Sequence, residues 1–205
     1  MRITDIVFDI GGVLADFRLK EFLMEKGFDA AMIRRIVKAS VLTEYWGRFE
    51  RGEISEEETL RGFAQADPAI ADELREAYSN VSGMLTARDY AIPLVRGLKA
   101  AGYGVWYLSN YSKKAYDECG SSLSFMPYMD GGVVSFRAGM TKPDPNVYRL
   151  LLADCGLDPA ACAFVDDTPE NVDVARALGF TGIVFTSYEG LIRALARLGI
   201  APGEI

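Results

Sequence analysis

The sequence predicts an α/β protein: a three-layer parallel-sheet core, interrupted directly after its first strand by an all-helical segment. Three observations carry this. From Asp89 onward short apolar runs alternate with helical patterns, the signature of parallel strands joined by right-handed crossovers. A β-branched, apolar stretch at Ile3–Ile10 ends at Gly11-Gly12 and reads as a buried strand. Between the two, from Asp16 to Arg88, helical periodicity runs without any convincing strand.

Ile3, Ile6, Val7, Phe8 and Ile10 make the first strand. In the helical segment Ile33, Ile36, Val37 and Val41 share one face. Ser55 with Glu58 forms a capping box, and Leu60 and Phe63 are the inward side of the helix it starts. The acid-rich run from Glu44 to Glu76 reads as a solvated outer face. Pro93–Ala101 is then a helix stopped at Gly102, and Val105–Leu108 a strand ending at Ser109-Asn110. Gly132–Phe136 is a third strand. Pro145–Cys155 is a helix with Val147, Tyr148, Leu151 and Leu152 inward, closed by Gly156. Ala161–Val165 is a fourth strand running into Asp166-Asp167. Thr168 caps a helix with Pro169 at its first position, which continues to Leu178 and stops at Gly179. Ile183–Phe185 and Leu191–Leu198 supply the fifth strand and last helix. The expected division is a core of residues 1-15 and 89-205 and a helical cap of residues 16-88.

A chain of 205 residues, half hydrophobic and a quarter charged, fits one large domain or a core with a small insertion. Its 22 Lys and Arg against 29 Asp and Glu leave a net charge of −7. Such a surface repels phosphate backbones and anionic membranes, so neither nucleic acid nor membrane is an expected partner. The chain has no histidine, which excludes Ser-His and Cys-His nucleophile schemes and His-ligated zinc. Carboxylates, Lys, Ser or Cys must carry any chemistry. Cys119, Cys155 and Cys162 form no C-x-x-C pair and suit reduced thiols. Asp5 and Asp9 break the apolar start, so it lacks a signal-peptide pattern, and no 18-residue apolar run occurs. The expected location is cytoplasmic.

Open α/β sheets bind ligands at the carboxyl ends of their strands. The polar residues gather there: Asp9 with Gly11 and Gly12, then Ser109 and Asn110, then Lys142 in the loop beyond the third strand, then Asp166 and Asp167, with Asn171 one helical turn on. Carboxylate oxygens suit Mg²⁺, a hard cation, and a lysine with a hydroxyl suits phosphate oxygens.

The segments Phe8-Asp9-Ile10-Gly11-Gly12-Val13-Leu14, Leu108-Ser109-Asn110, Lys142-Pro143-Asp144-Pro145 and Val165-Asp166-Asp167-Thr168-Pro169-Glu170-Asn171 follow one another in this order. With them the whole chain resembles the haloacid dehalogenase superfamily, in particular its sugar-phosphatase-like members with a helical cap. The resemblance implies a Rossmann-like core and a Mg²⁺-dependent phosphomonoesterase acting on a small phosphorylated metabolite, a sugar phosphate favoured, through an aspartyl phosphate. It implies Asp9 as nucleophile, and Ser109, the backbone amide of Asn110 and Lys142 as holders of phosphate oxygens. The implied metal site is Asp9, the Gly11 carbonyl and Asp167, with Asp166 behind it or bound through water; the two adjacent Asp can exchange these roles. Asn171 reads equally as a local helix cap.

One position departs from the pattern. The superfamily's phosphatases usually carry a second Asp two places after the nucleophile, as general acid and then base, and here that place is Gly11. Losing a general acid costs on the order of 10²–10⁴ in rate, so the expected leaving group is a weakly basic one, such as the anomeric oxygen of a sugar 1-phosphate. A mutase is not expected. Asp16 is a candidate substitute acid, its ordinary reading being a helix N-cap. In the cap, Tyr45 and Trp46 suit stacking on a sugar and Arg48 an anion, while an aromatic run in so small a unit reads first as its core. Gly11, Gly12 and Thr86–Asp89 are hinge candidates. Two other readings use the same residues: a hydrolytic dehalogenase, in which Asp9 attacks carbon and no metal is needed, and a turnover-deficient member that binds a phosphate ligand or a protein.

Overall fold

The computed structural model describes residues 2–203. Among the described residues the strands are β1 (Asp5–Phe8), β2 (Ala15–Phe17), β3 (Leu85–Ala87), β4 (Gly104–Ser109), β5 (Gly131–Val134), β6 (Cys162–Asp166) and β7 (Thr181–Val184). Helices α1 (Leu19–Glu25), α2 (Ala30–Ala39), α3 (Glu44–Glu50), α4 (Glu56–Ala66) and α5 (Ala71–Ser79) lie between β2 and β3. After β3 come α6 (Ala91–Ala100), α7 (Lys113–Glu118), α8 (Ser135–Ala138), α9 (Pro145–Cys155), α10 (Pro169–Ala177) and α11 (Tyr188–Arg197).

Five strands form one parallel sheet in the order β5-β4-β1-β6-β7. The alternation of β1 explains the three layers. Ile6 and Phe8 join the cluster that holds Leu94 and Leu98 of α6 and Leu191 and Leu195 of α11. Val7 joins the opposite one, with Tyr148 and Leu151 of α9 and Val172 and Ala175 of α10. Both faces of β1 are therefore covered, which is why it reads as a nearly continuous apolar run. The chain leaves β1 toward β4 and β5 and later returns to β6 on the other side. The strand order reverses there, and a crevice opens above the end of β1.

The structure corrects several sequence expectations. The stretch from Asp16 to Arg88 is not wholly helical: β2 and β3 pair antiparallel at its two ends, Ala15 opposite Ala87, Asp16 opposite Thr86 and Phe17 opposite Leu85. Three residues are too few to show a period. β5 stops at Val134, because Ser135 begins α8 and takes Phe136 with it. Helix α7, capped by the Ser112 side chain, is too short to have been legible. Thr168 occupies the N-cap position of α10 but makes no side-chain cap bond; its N–H is turned back to Asp166.

In the inserted helices the capping box forms as expected: Glu58 N–H donates to Ser55 Oγ at 3.2 Å, and Ser55 N–H to Glu58 Oε2 at 2.8 Å. Ile33 and Ile36 are buried on α2. Trp46, Phe63 and Tyr78 pack as one aromatic group with ring centroids 5.4–6.4 Å apart. Arg48 lies over the Tyr45 ring and 3.6 Å from Glu53. Among the described residues no helix is long and apolar enough to cross a membrane.

Candidate active site

Sheet register brings the polar strand ends together. Phe8 of β1 lies level with Tyr107 of β4 and Val165 of β6, so Asp9 and Asp166 emerge side by side at one edge, with Ser109 one residue further along β4. Asp9 continues the ladder, its N–H donating to the Val165 carbonyl at 2.8 Å. Its side chain is buried, and one oxygen, Oδ1, accepts the Ser109 hydroxyl at 2.7 Å and the Ile10 N–H at 2.7 Å.

Lys142 sits between two carboxylates. Its ammonium lies 2.9 Å from Asp9 Oδ1 and 2.6 Å from Asp166 Oδ2, and the lysine side chain is only 1% exposed. Burial works against the lysine's charge, but Asp9 and Asp166 outweigh it and hold the ammonium above its usual range. Asp9 is pushed up to about 6: burial dominates, the Asp166 charge adds to it, and Lys142 and Ser109 restrain it.

Asp166 and Asp167, neighbours in sequence, have different surroundings. Asp166 is fully buried and its oxygens are committed. Oδ1 accepts the Thr168 N–H at 2.8 Å, Oδ2 takes Lys142, and the Asn171 amide donates to both oxygens at 3.1 Å. Asn171 is thus no local helix cap; its side chain holds Asp166. Asp167 is exposed at the rim and packs on Gly12, whose backbone has φ +75°. The positive φ favours glycine, and a Cβ there would stand 2.2 Å from Asp167 Oδ2 and displace that carboxylate. Partial burial and the Asp166 charge raise the Asp167 carboxyl above its ordinary value.

Asp9, Asp166 and Asp167 each offer a carboxylate oxygen within 4.8 Å of the other two. An all-oxygen donor set this tight suits a hard divalent cation, and two of its members are held back from ionising by burial first and by the Asp166 charge second. The residues therefore fit Mg²⁺. Gly11 faces the same cleft with open space where a side chain would be.

These groups floor a cleft of about 790 Å³. Trp46 and Glu50 of α3 line it as well, together with Arg88 and Tyr111. Among the described residues Arg88 Nε and the Tyr111 hydroxyl are buried behind this lining without hydrogen-bond partners. Asp16 also faces the cleft, but from β2, with its carboxylate 2.6 Å from Arg88; it neither caps α1, whose N-cap is Arg18, nor is free of a cation. Arg48, expected to reach an anion, lies outside the lining of this cleft. Glu50 was missed by sequence reasoning because it stands in the acid-rich run. Its neighbours Glu53, Glu56, Glu57 and Glu58 are exposed, whereas Glu50 is half-buried and pushed up to about 7. Burial is the main cause and Asp9 adds to it, while Trp46, Lys142 and Arg51 pull the other way.

Comparison with known proteins places this geometry in context. The model of the haloacid dehalogenase-like hydrolase family matches residues 5–179. Chloroplastic flavin mononucleotide hydrolase 1 of Arabidopsis thaliana is 31% identical over 160 residues, which are 76% of this chain and 62% of that protein's own length. The D-ribitol-5-phosphate phosphatase of Bacteroides thetaiotaomicron is 25% identical over 87% of this chain and 89% of its own. The fold matches a haloacid dehalogenase family enzyme of Bacteroides thetaiotaomicron solved with magnesium and inorganic phosphate, with a TM-score of 0.71 and 23% identity over 93% of this chain and 100% of that one.

Proposed function

We propose that this chain, which belongs to the haloacid dehalogenase-like hydrolase family, is a Mg²⁺-dependent phosphomonoesterase acting on a small phosphorylated metabolite, a sugar phosphate favoured. The observation that carries the reading is the charge balance around Asp9. One buried ammonium serves two buried carboxylates, and a third carboxylate, Asp167, stands within reach of both. Such a site is short of positive charge until a cation binds. The Asp166-Asp167 pair also argues against a dehalogenase, whose attack on carbon needs no metal.

Asp9 is the nucleophile in this reading. Three donors converge on Oδ1 and orient the carboxylate, while Oδ2 takes none of them and is the oxygen that attacks phosphorus. Attack forms an aspartyl phosphate, and water then releases phosphate and returns the carboxylate. Ser109, the Asn110 amide and Lys142 hold the phosphoryl oxygens as charge builds on them, the lysine kept charged by its own two carboxylates. Asp9, the Gly11 carbonyl and Asp167 would hold Mg²⁺, and Asp166, committed to Lys142, Asn171 and Thr168, would stand behind them. When bound, the metal supplies neutralisation of phosphoryl charge. Residues 16-88 act as a cap that closes over the cleft and sets specificity. Three free cysteines support a reducing, cytoplasmic setting.

The test is hydrolysis of p-nitrophenyl phosphate and a panel of sugar phosphates, with Mg²⁺ and with chelator, by the wild type and Asp9→Asn. Mg²⁺-dependent release lost in Asp9→Asn is the expected result. Activity undiminished in chelator would favour a different hydrolase. No turnover, with Mg²⁺ and phosphate still bound, would make the protein a binding module.

A further inference from the structure

The leaving group of a phosphate ester needs a proton, and the chain has no side chain at Gly11 to give one. The attacking and departing oxygens lie roughly in line on phosphorus, so a substrate attacked by Asp9 expels its alcohol on the side away from Asp9, toward the inserted helices. The proton donor should therefore be a carboxyl on that side of the cleft.

Four carboxyl side chains line the cleft: Asp9, Asp16, Glu50 and Asp167. Asp9 is paired with Lys142 and Asp16 with Arg88. Asp167 belongs to the oxygen cluster on the core side. Among the described residues Glu50 has neither an ion-pair partner nor a place in that cluster, and it comes from α3 of the inserted helices. Its neighbour Arg51 is drawn off to Glu53 at 2.6 Å.

The position of Glu50 is built rather than incidental. The Ser135 hydroxyl, on a side chain that is buried, donates to the Glu50 carbonyl at 2.6 Å. The same Ser135 oxygen accepts the Tyr111 N–H at 2.8 Å, which ties the end of α3 to the segment that follows Ser109 and Asn110. Two residues on, Gly52 (φ +67°) lies so close to Phe136 that a Cβ would stand 2.8 Å from its carbonyl oxygen. The end of α3 is thus docked onto the core, and Glu50 lines the same cleft as Asp9, near enough for the Asp9 charge to act on it.

We propose that Glu50 is the general acid and base that Gly11 does not supply, so that the reaction is completed by a residue from the inserted helices. This rests on the phosphatase reading above. As Asp9 attacks phosphorus, the bond from phosphorus to the ester oxygen breaks and its electron pair stays on that oxygen, which takes the Glu50 proton and leaves as the alcohol. Glu50, now a carboxylate, accepts a proton from water as the water oxygen attacks the aspartyl phosphate. The bond between Asp9 and phosphorus breaks, its electron pair returns to the Asp9 carboxylate, and phosphate is released. A carboxyl pushed up to about 7 is suited to both directions. Leaving groups as basic as a primary alkoxide then come within reach, and the restriction to acidic leaving groups expected from Gly11 is lifted.

The experiment compares p-nitrophenyl phosphate with phenyl phosphate, two esters of similar shape whose phenols differ in acidity, in single-turnover reactions of wild type and Glu50→Gln with Mg²⁺. Glu50→Gln should lose on the order of 10²–10⁴ on phenyl phosphate but less than about tenfold on p-nitrophenyl phosphate, whose leaving group needs no acid. With excess p-nitrophenyl phosphate, the variant should release a burst of about one equivalent and then slow, because the second step lacks its base. Equal losses on both esters, or none on either, would overturn the role of Glu50. Absence of wild-type release sensitive to Asp9→Asn would instead sink the phosphatase reading itself.

Discussion

Asn110 and Lys142, 32 positions apart, exchange a pair of hydrogen bonds: the Asn110 amide donates to the Lys142 carbonyl at 3.0 Å, and the Lys142 N–H donates to Asn110 Oδ1 at 2.8 Å. The side chain of one residue thereby mimics a backbone partner for the other and fixes where the buried ammonium enters the site. Asn110→Ala would leave both Lys142 backbone groups without these partners, at a cost of about 1–3 kcal/mol in urea denaturation. The loss of phosphatase activity should exceed what the fall in folded fraction explains, because the ammonium is no longer held over Asp9.

Lys142→Met should be worse for the fold. Asp9 and Asp166 would remain buried without their shared cation, and breaking such a pair costs about 3–5 kcal/mol. Denaturation in chelator measures it. A loss below about 1 kcal/mol would mean that the two carboxyls reorganise or hydrate without the lysine.

Gly12→Ala tests the rim. The new methyl would need the space of the Asp167 carboxylate and a backbone conformation that L residues rarely adopt. Mg²⁺ affinity, followed by calorimetric titration, should weaken on the order of 10–100-fold, as when the support of a metal ligand is removed.

Glu50 makes a prediction about pH. Its native value of about 7 lies above the ordinary 4.5, so the folded state holds the proton more tightly than the unfolded one. Its contribution to stability is therefore full below about 4.5 and is lost as pH rises toward about 7. The groups acting on it are Asp9, Lys142 and Arg51, with Trp46 at its side. Urea midpoints measured in chelator should fall across this window more steeply for wild type than for Glu50→Gln.

Phe63→Ala removes one of three mutually packed rings, the others being Trp46 and Tyr78, and Phe63 is only 1% exposed. The expected cost is about 3–5 kcal/mol. The midpoint of thermal melting, followed by tryptophan fluorescence to which Trp46 and Trp106 both contribute, should move down.

The strand ends were legible because each is an apolar run that stops abruptly at a polar residue: Phe8 before Asp9, Leu108 before Ser109, Val165 before Asp166. Parallel pairing does the rest, since aligned strands bring their ends to one edge whatever the sequence distance between them. The same logic fails in the inserted segment. Glu50 has the composition of its exposed neighbours, and only the docking of α3 on Ser135 and Phe136 separates it from them. Asp16 looked like a helix cap because a three-residue strand leaves no periodic trace, and its pairing with Arg88 depends on the two ends of the segment meeting. Trp46 belongs to both readings, a member of the aromatic core on one side and part of the cleft wall on the other.

That meeting of ends has an evolutionary consequence. With Ala15 set opposite Ala87, the chain leaves the core and returns to it at neighbouring points, so a tight turn could in principle close the gap. The five-stranded sheet does not depend on the inserted helices for its pairing, although their aromatic group joins the apolar cluster on one sheet face. Recombination at the small ladder can thus exchange one lid for another while the polar strand ends Asp9, Ser109 and Asp166 stay in the sheet. If Glu50 supplies the proton, such an exchange would carry part of the catalytic apparatus with it, and chimeras joined at Ala15 and Ala87 would inherit leaving-group range along with substrate choice.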